Sequence, residues 1–267
     1  MIVLPRAPWF LLIGFLSGYA CLAAAAEPVS SEATKPAAIK IAIFDDNSVS
    51  RSRNKLIESL ERNKDFEFQK LTAEQIRAGE LKPFRVLIAP GGSSSWQGNV
   101  LGADGRAKVQ EFIKEGGGYI GICAGAYLAT CDYQWSLHVL NAKVVDKEHW
   151  ARGIADLEIS LPEAGKQLLA QDKERVTLRY HQGPLLAPAE NKELPSYREL
   201  ARFEAEVAKN GAPEGVMVGT SAIVAADYGS GRVLCYSPHP EMTEGQDAIL
   251  YAGIRWTATN TPTKAAK

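Results

Sequence analysis

Apolar residues in the first half of the chain fall into two alternating kinds of run. Short continuous ones, "IKIAIF" at 39–44, "RVLIAP" at 85–90 and "GYIGIC" at 118–123, read as strands buried on both faces. Between them lie segments whose apolar residues recur every three or four positions and so predict helices. "SRSRNKLIESLERN" sets Leu56, Ile57 and Leu60 on one face, and "GRAKVQEFIKEGG" does the same with Val109, Phe112 and Ile113. "TAEQIRAG" is a short helix capped by Thr72 and stopped at Gly79, while "FEFQKL" alternates as a further strand. This βαβαβαβ rhythm predicts an α/β fold, a mostly parallel sheet with helices on both faces.

The second half is less regular. "AKVVDKEHW", "IADLEISL" and "RVTLRYHQGPL" read as strands, and "LPSYRELARFEAEVAKN" as an exposed helix. "SAIVAADYGSGRVLCYSPHPE" predicts a hairpin turning at Gly229, Ser230 and Gly231. "EGQDAILYAGIRWTA" closes the domain as a helix, with Ile249, Leu250, Gly253 and Trp256 at core spacing. The domain is expected over 39–257. A Pro/Ser/Ala linker at 27–38 precedes it and a polar tail at 258–267 follows, neither with an apolar period.

The first 26 residues hold one Arg, a long apolar run and Ala24-x-Ala26, the pattern of a cleaved export signal. Export to a periplasmic or extracellular space is therefore expected, with no membrane association beyond the signal. An uncleaved anchor is the alternative reading. Removing residues 1–26 takes away one base and no acid, which leaves a net charge of −2. A chain so near neutrality has no electrostatic reason to seek nucleic acid. Cleavage leaves Cys123, Cys131 and Cys235, an odd number. Cys123 and Cys131 stand about 12 Å apart along a helix, too far to bridge. Cys131 with Cys235 is the pairing that remains, and it leaves Cys123 free.

Cys123 sits at the joint of strand and helix in "Gly121-Ile122-Cys123-Ala124-Gly125". A sharp strand-to-helix turn strains its corner residue, and flanking glycines remove the side chains that would clash there, which is the logic of a nucleophile elbow. The positive end of a helix dipole favours a thiolate at that corner. The Ala124 N–H is one candidate oxyanion donor, and "PGG" at 90–92 offers Gly91 and Gly92 as the second. Acyl transfer also needs a base and a group that orients it. His239 and Glu241, two residues apart at the end of "RVLCYS", would project to the same side of an extended chain.

With "APGGSSSW", "GGGYIGICAGAYLA", "RYHQGP" and "SPHPE" in place, the chain resembles the class I glutamine amidotransferase-like superfamily. Within it, these motifs most resemble the domain named after the N-terminal region of fungal biotin-protein ligase. The resemblance implies a flavodoxin-like, doubly wound sheet, with Cys123 as nucleophile, His239 as base and Glu241 as its orienter. It implies Gly92 and Ala124 as oxyanion donors, and a pocket lined by Tyr127, Tyr180, His181 and Gly183. Glutamine-hydrolysing members usually carry Gln four residues after the cysteine, where this chain has Tyr127, and no partner synthetase or biotin-ligase region is expected. A related protease-like branch pairs its cysteine with an early-strand carboxylate, the place of Asp45 or Asp46.

Gly116-x-Gly118-x-x-Gly121 matches a dinucleotide fingerprint only formally, because it follows a helix and precedes a strand. No metal or cofactor is expected: the four His are scattered and no C-x-x-C or H-E-x-x-H occurs. The Lys/Arg of "RSRNK" read as a solvated helix face. The expected function is hydrolysis or transfer of an amide-type bond in a small-molecule or peptide-like substrate, through a thioester. The alternatives are a non-catalytic ligand-binding or regulatory module, and a redox sensor at Cys123.

Overall fold

The computed structural model describes residues 1–4, 7–9, 37–45, 47 and 50–259. The chain divides into two units, Met1–Pro36 and Ala37–Lys267. Within the first, the described residues form no helix or strand. Most of the expected export signal and linker, and the tail from residue 260, lie outside the described residues. Among those described, no helix is long and apolar enough to cross a membrane.

The second unit alternates strand and helix through its first half: β1 (Ile39–Phe44), α1 (Arg51–Glu61), β2 (Phe66–Leu71), α2 (Ala73–Arg77), β3 (Val86–Ala89), α3 (Ser94–Lys114), β4 (Gly118–Ile122) and α4 (Ala124–Ala129). There follow β5 (Ala142–Val144), β6 (Ile154–Ser160), α5 (Glu163–Leu169), β7 (Arg175–His181), β8 (Leu186–Pro188), β9 (Arg198–Phe203), β10 (Ser221–Tyr228), β11 (Gly231–Tyr236) and α6 (Asp247–Thr257). The main sheet runs β2-β1-β3-β4-β11-β10-β9-β6-β7. Pairing is parallel from β2 across to β11, and antiparallel from β11 out to β7.

Successive residues of a strand point to opposite faces, and helices cover both faces here. Ile41, Ile43, Ile88, Ile120 and Ile122 pack with Leu56 and Leu60 of α1 and with Ile249, Leu250 and Ile254 of α6. Ala42, Phe44, Leu87, Ala89 and Tyr119 pack on the other side with Ile76 of α2 and Leu101, Val109 and Ile113 of α3. This is the doubly wound α/β architecture that the apolar pattern predicts, extended by an antiparallel wing. The Thr72 hydroxyl accepts from Gln75 N and the Gln75 side chain accepts from Thr72 N, so α2 starts on a capping box.

The segment read as an exposed helix at 194–210 is instead β9, paired to β10 and β6. Its Leu, Ala, Glu and Arg content favours helix locally, but Leu200, Ala201 and Phe203 are buried between two strands that need partners. Tertiary pairing overrides propensity there. Helix α5 packs flush on the same strand, since a Cβ at Gly165 would fall 1.9 Å from Leu200 O.

Candidate active site

Cys123 lies at the carboxyl end of β4, on the edge where open α/β sheets hold their ligands. Its backbone adopts φ 51° and ψ −100°, a conformation that L-residues rarely take, and its N–H donates to Tyr236 O at 2.8 Å. The glycines make the corner possible. A Cβ at Gly121 would meet Gly125 O at 2.3 Å, and one at Gly125 would meet Ala89 O at 2.0 Å. The thiol donates to His181 O at 3.4 Å and is almost wholly buried.

His239 arrives from the end of β11 and is clamped to the neighbouring wing. Its N–H donates to Arg179 O at 2.7 Å, and its carbonyl accepts from the Thr243 hydroxyl, which in turn accepts from Arg179 N. Nδ1 stands 2.7 Å from Glu241 Oε1. The two meet across a short 3-10 turn, Pro240–Met242, rather than along an extended strand. Both are buried, and among the described residues neither His239 Nε2 nor Glu241 Oε2 meets the geometry of a hydrogen bond, the Cys123 sulfur being the neighbour that acts on the imidazole besides Glu241. Burial pulls the imidazole pKa down, but the Glu241 carboxylate and the Cys123 sulfur raise it by more, so the net displacement is upward.

A residue that the sequence reading missed completes this arrangement. Ser52, in the first turn of α1, donates to Glu241 Oε1 at 2.7 Å and accepts from Gly91 N at 2.8 Å. Ser50 caps α1 by accepting from Arg53 N, and it donates to Gly91 O. The signal available was positional: both serines follow β1 at the carboxyl edge. Gly91 therefore corrects one expectation. It lines the cleft, but its N–H already has an acceptor in Ser52, so it cannot serve as an oxyanion donor. Its lack of a side chain matters instead, because a Cβ there would sit 2.8 Å from His239 Cε1.

The cleft over Cys123 encloses about 760 Å³, and Gly92, Ala124, Tyr127, His181 and His239 line it. Tyr180 and Gly183, also expected there, do not. Tyr180 is fully buried with its hydroxyl donating to Gly183 O at 2.8 Å, and a Cβ at Gly183 would fall 2.0 Å from Ser237 O. These two brace the wall behind the pocket. His181 faces His239 with ring centroids 6.1 Å apart, and burial and the His239 charge lower its pKa. Arg51, Tyr133, Trp135, Lys147 and Trp150 also line the cleft and were not foreseen.

Asp45 is ion-paired with Arg53 and lies 3.8 Å from Lys70, outside the cleft lining. Asp46 lies outside the described residues. Cys131 and Cys235 are not bridged: Cys131 Sγ contacts Ala142 O at 3.6 Å, while burial within the sheet pushes the Cys235 thiol pKa up. Among the described residues, no group of three or more His, Cys, Asp and Glu is arranged to hold a metal ion.

Residues 39–151 match the family model described as biotin-protein ligase, N terminal. That stretch includes Cys123 and ends before His181, His239 and Glu241. Among solved structures, a putative ThuA-like protein from Bacteroides uniformis aligns at TM-score 0.55 and 13% identity, over 84% of this chain and 93% of its own. A glutamine amidotransferase from Thermotoga maritima aligns at TM-score 0.51 and 13% identity, over 82% and 81%. The fold is class I glutamine amidotransferase-like. A cytoplasmic protein from Salmonella typhimurium shares this amidotransferase-like fold at TM-score 0.53 and 14% identity, over 83% of this chain and all of its own. Over 51 residues the chain is 37% identical to an uncharacterized protein of Chlamydia muridarum, a match spanning 19% of this chain and 20% of that protein. At these identities the structural likeness is one of fold.

Proposed function

We propose that this amidotransferase-like domain is an exported hydrolase or acyl transferase that cleaves an amide-type bond through a thioester on Cys123. The observation that carries this reading is the strained Cys123 corner beside a buried imidazole held by a carboxylate at 2.7 Å. The export part rests on the pattern of residues 1–26.

In this mechanism the Cys123 sulfur attacks the amide carbon while the proton of the thiol resides on His239 Nε2. The C–S bond forms, and the oxyanion is met by N–H groups of Ala124 and Gly92. Ala124 opens α4, where first-turn N–H groups have no intrahelical acceptor. As the C–N bond breaks, His239 passes its proton to the leaving amine. Water or a small amine then attacks the thioester, and the C–S bond breaks to return the thiol and release the acyl product. Glu241 keeps Nδ1 protonated, so that Nε2 faces the sulfur.

Mass-spectrometric trapping of an acyl adduct from a library of amides and activated esters tests the reading. The expected result is an adduct on Cys123 that disappears in Cys123→Ser, with turnover lost in His239→Ala. Unchanged turnover in His239→Ala would remove the imidazole from the chemistry.

A further inference from the structure

Resting on that reading, we propose that the cleft selects amides that carry a carboxylate on one flank of the scissile bond and a flat ring on the other. The charge on its walls is one-sided. Among the described residues no Asp or Glu lines the cleft, whereas Arg51 and Lys147 do. Lys147 is neutralised by Asp132 at 2.7 Å and rests over the Tyr133 ring. Arg51 is in a different situation: among the described residues it forms no ion pair or side-chain hydrogen bond, and its charge acts on His181 within the site.

The backbone adds to the same sign. Helix α1, eleven residues long, begins at the cleft with Ser50, Arg51 and Ser52, and the first segment of α3, which runs from Ser94 to a non-helical break at Gly102, begins there with Ser93, Ser94 and Ser95. The N-cap side chain of α3 makes no capping hydrogen bond, and the positive end of that segment's dipole faces the cleft. Buried within the same cleft, His239 Nε2 has no hydrogen bond of ordinary geometry among the described residues, and it marks where the reacting bond must sit. An anion placed between Arg51 and the start of α3 would meet fixed dipoles and a full charge at the exposed rim of the cleft.

Another part of the lining is aromatic. Tyr133 and Trp135 stack at 4.5 Å with planes 14° apart, and Trp150 lines the cleft with 56% of its surface exposed. Its strap is not loose: Asp146 accepts from His149 N at 3.1 Å and pairs with the buried Arg152 at 2.6 Å. A ring held against Trp150 would cover apolar surface that the protein itself leaves open.

Competing alkylation of Cys123 by iodoacetate and iodoacetamide reads the charge preference directly. With glutathione as reference, the iodoacetate-to-iodoacetamide rate ratio is expected to be about fivefold higher at Cys123. Arg51→Gln, and separately about 0.5 M salt, should each lower that ratio about threefold or more. Benzoylglycine, which joins a ring and a carboxylate through an amide, should protect Cys123 at concentrations about tenfold below those needed for benzoylglycinamide or acetylglycine. Trp150→Ala should erase the advantage over acetylglycine and keep that over benzoylglycinamide. A ratio equal to that of glutathione and indifferent to Arg51→Gln, or equal protection by the acid and its neutral amide, would overturn the inference and leave the thioester chemistry standing. Failure of both reagents to label Cys123 would instead overturn the nucleophile reading beneath it.

Discussion

His239 Nδ1 and Glu241 Oε1 lie 2.7 Å apart, and neither residue exposes more than 4% of its surface. A carboxylate shut away from water with an imidazole is a strong local field, and it has consequences for stability as well as for reactivity.

The first concerns pH. The fold raises the His239 pKa, so the charged imidazole favours the native state. That contribution is fully present below the imidazole's unfolded value and is lost as pH rises through its folded one. Glu241→Gln removes the carboxylate and leaves burial to oppose the charge. The variant should be less stable by about 3 kcal/mol near pH 6, and the gap should narrow as pH rises above neutrality. Urea denaturation of both proteins across pH 6–9 checks this; a gap that widens with pH would contradict it.

The corner at Cys123 stores strain. At φ 51° and ψ −100°, an alanine retains the penalty and a glycine does not. Cys123→Gly should therefore be more stable than Cys123→Ala by about 1 kcal/mol, the reverse of the order expected in a helix or strand. Thermal melts of the two variants side by side give the answer.

Gly125→Ala has no room. The added methyl would lie 2.0 Å from Ala89 O, on backbone that cannot swing aside. Overpacking of this kind costs about 1–3 kcal/mol, and it should displace α4 enough to slow Cys123 alkylation even where the protein remains folded. Melting temperature and labelling rate should fall together.

Ser52 acts through its neighbours as a positioning residue. Ser52→Ala strips a donor from Glu241 and orphans the buried Gly91 N–H, at a cost of about 1–3 kcal/mol. The reading specific to positioning is the pH profile of Cys123 alkylation, which should shift in Ser52→Ala and return in Ser52→Thr. A profile unchanged by Ser52→Ala would leave the serine a purely structural role.

Much of the first half could be read before the structure. Continuous apolar strands and helices with one apolar face report their own burial, so β1 to α4, apart from the Ser94–Leu101 part of α3, and the elbow at Cys123 follow from local pattern. Residues 198–203 show where such reading ends: their composition favours helix, and only the open edges of β6 and β10 make them a strand. Ser52 and Arg51 were hidden for a related reason. Nothing in "RSRNK" says that the first turn of α1 points at a cleft rather than at solvent.

Sequence alone determined the doubly wound core and the chemistry available in two separate segments, a cysteine between glycines and a histidine near a glutamate. Those features depend on neighbours within a few residues, whose sterics and spacing are written locally. Tertiary structure alone decided that β4 and β11 lie side by side, so that residues 123 and 239 share one cleft. It also decided that Gly91 N–H is taken by Ser52, that Tyr180 and Gly183 stand behind the wall, and that Arg51 lines the site with no ion pair among the described residues. Contacts across more than a hundred residues are set by which apolar faces find partners, and a single sequence does not record that choice.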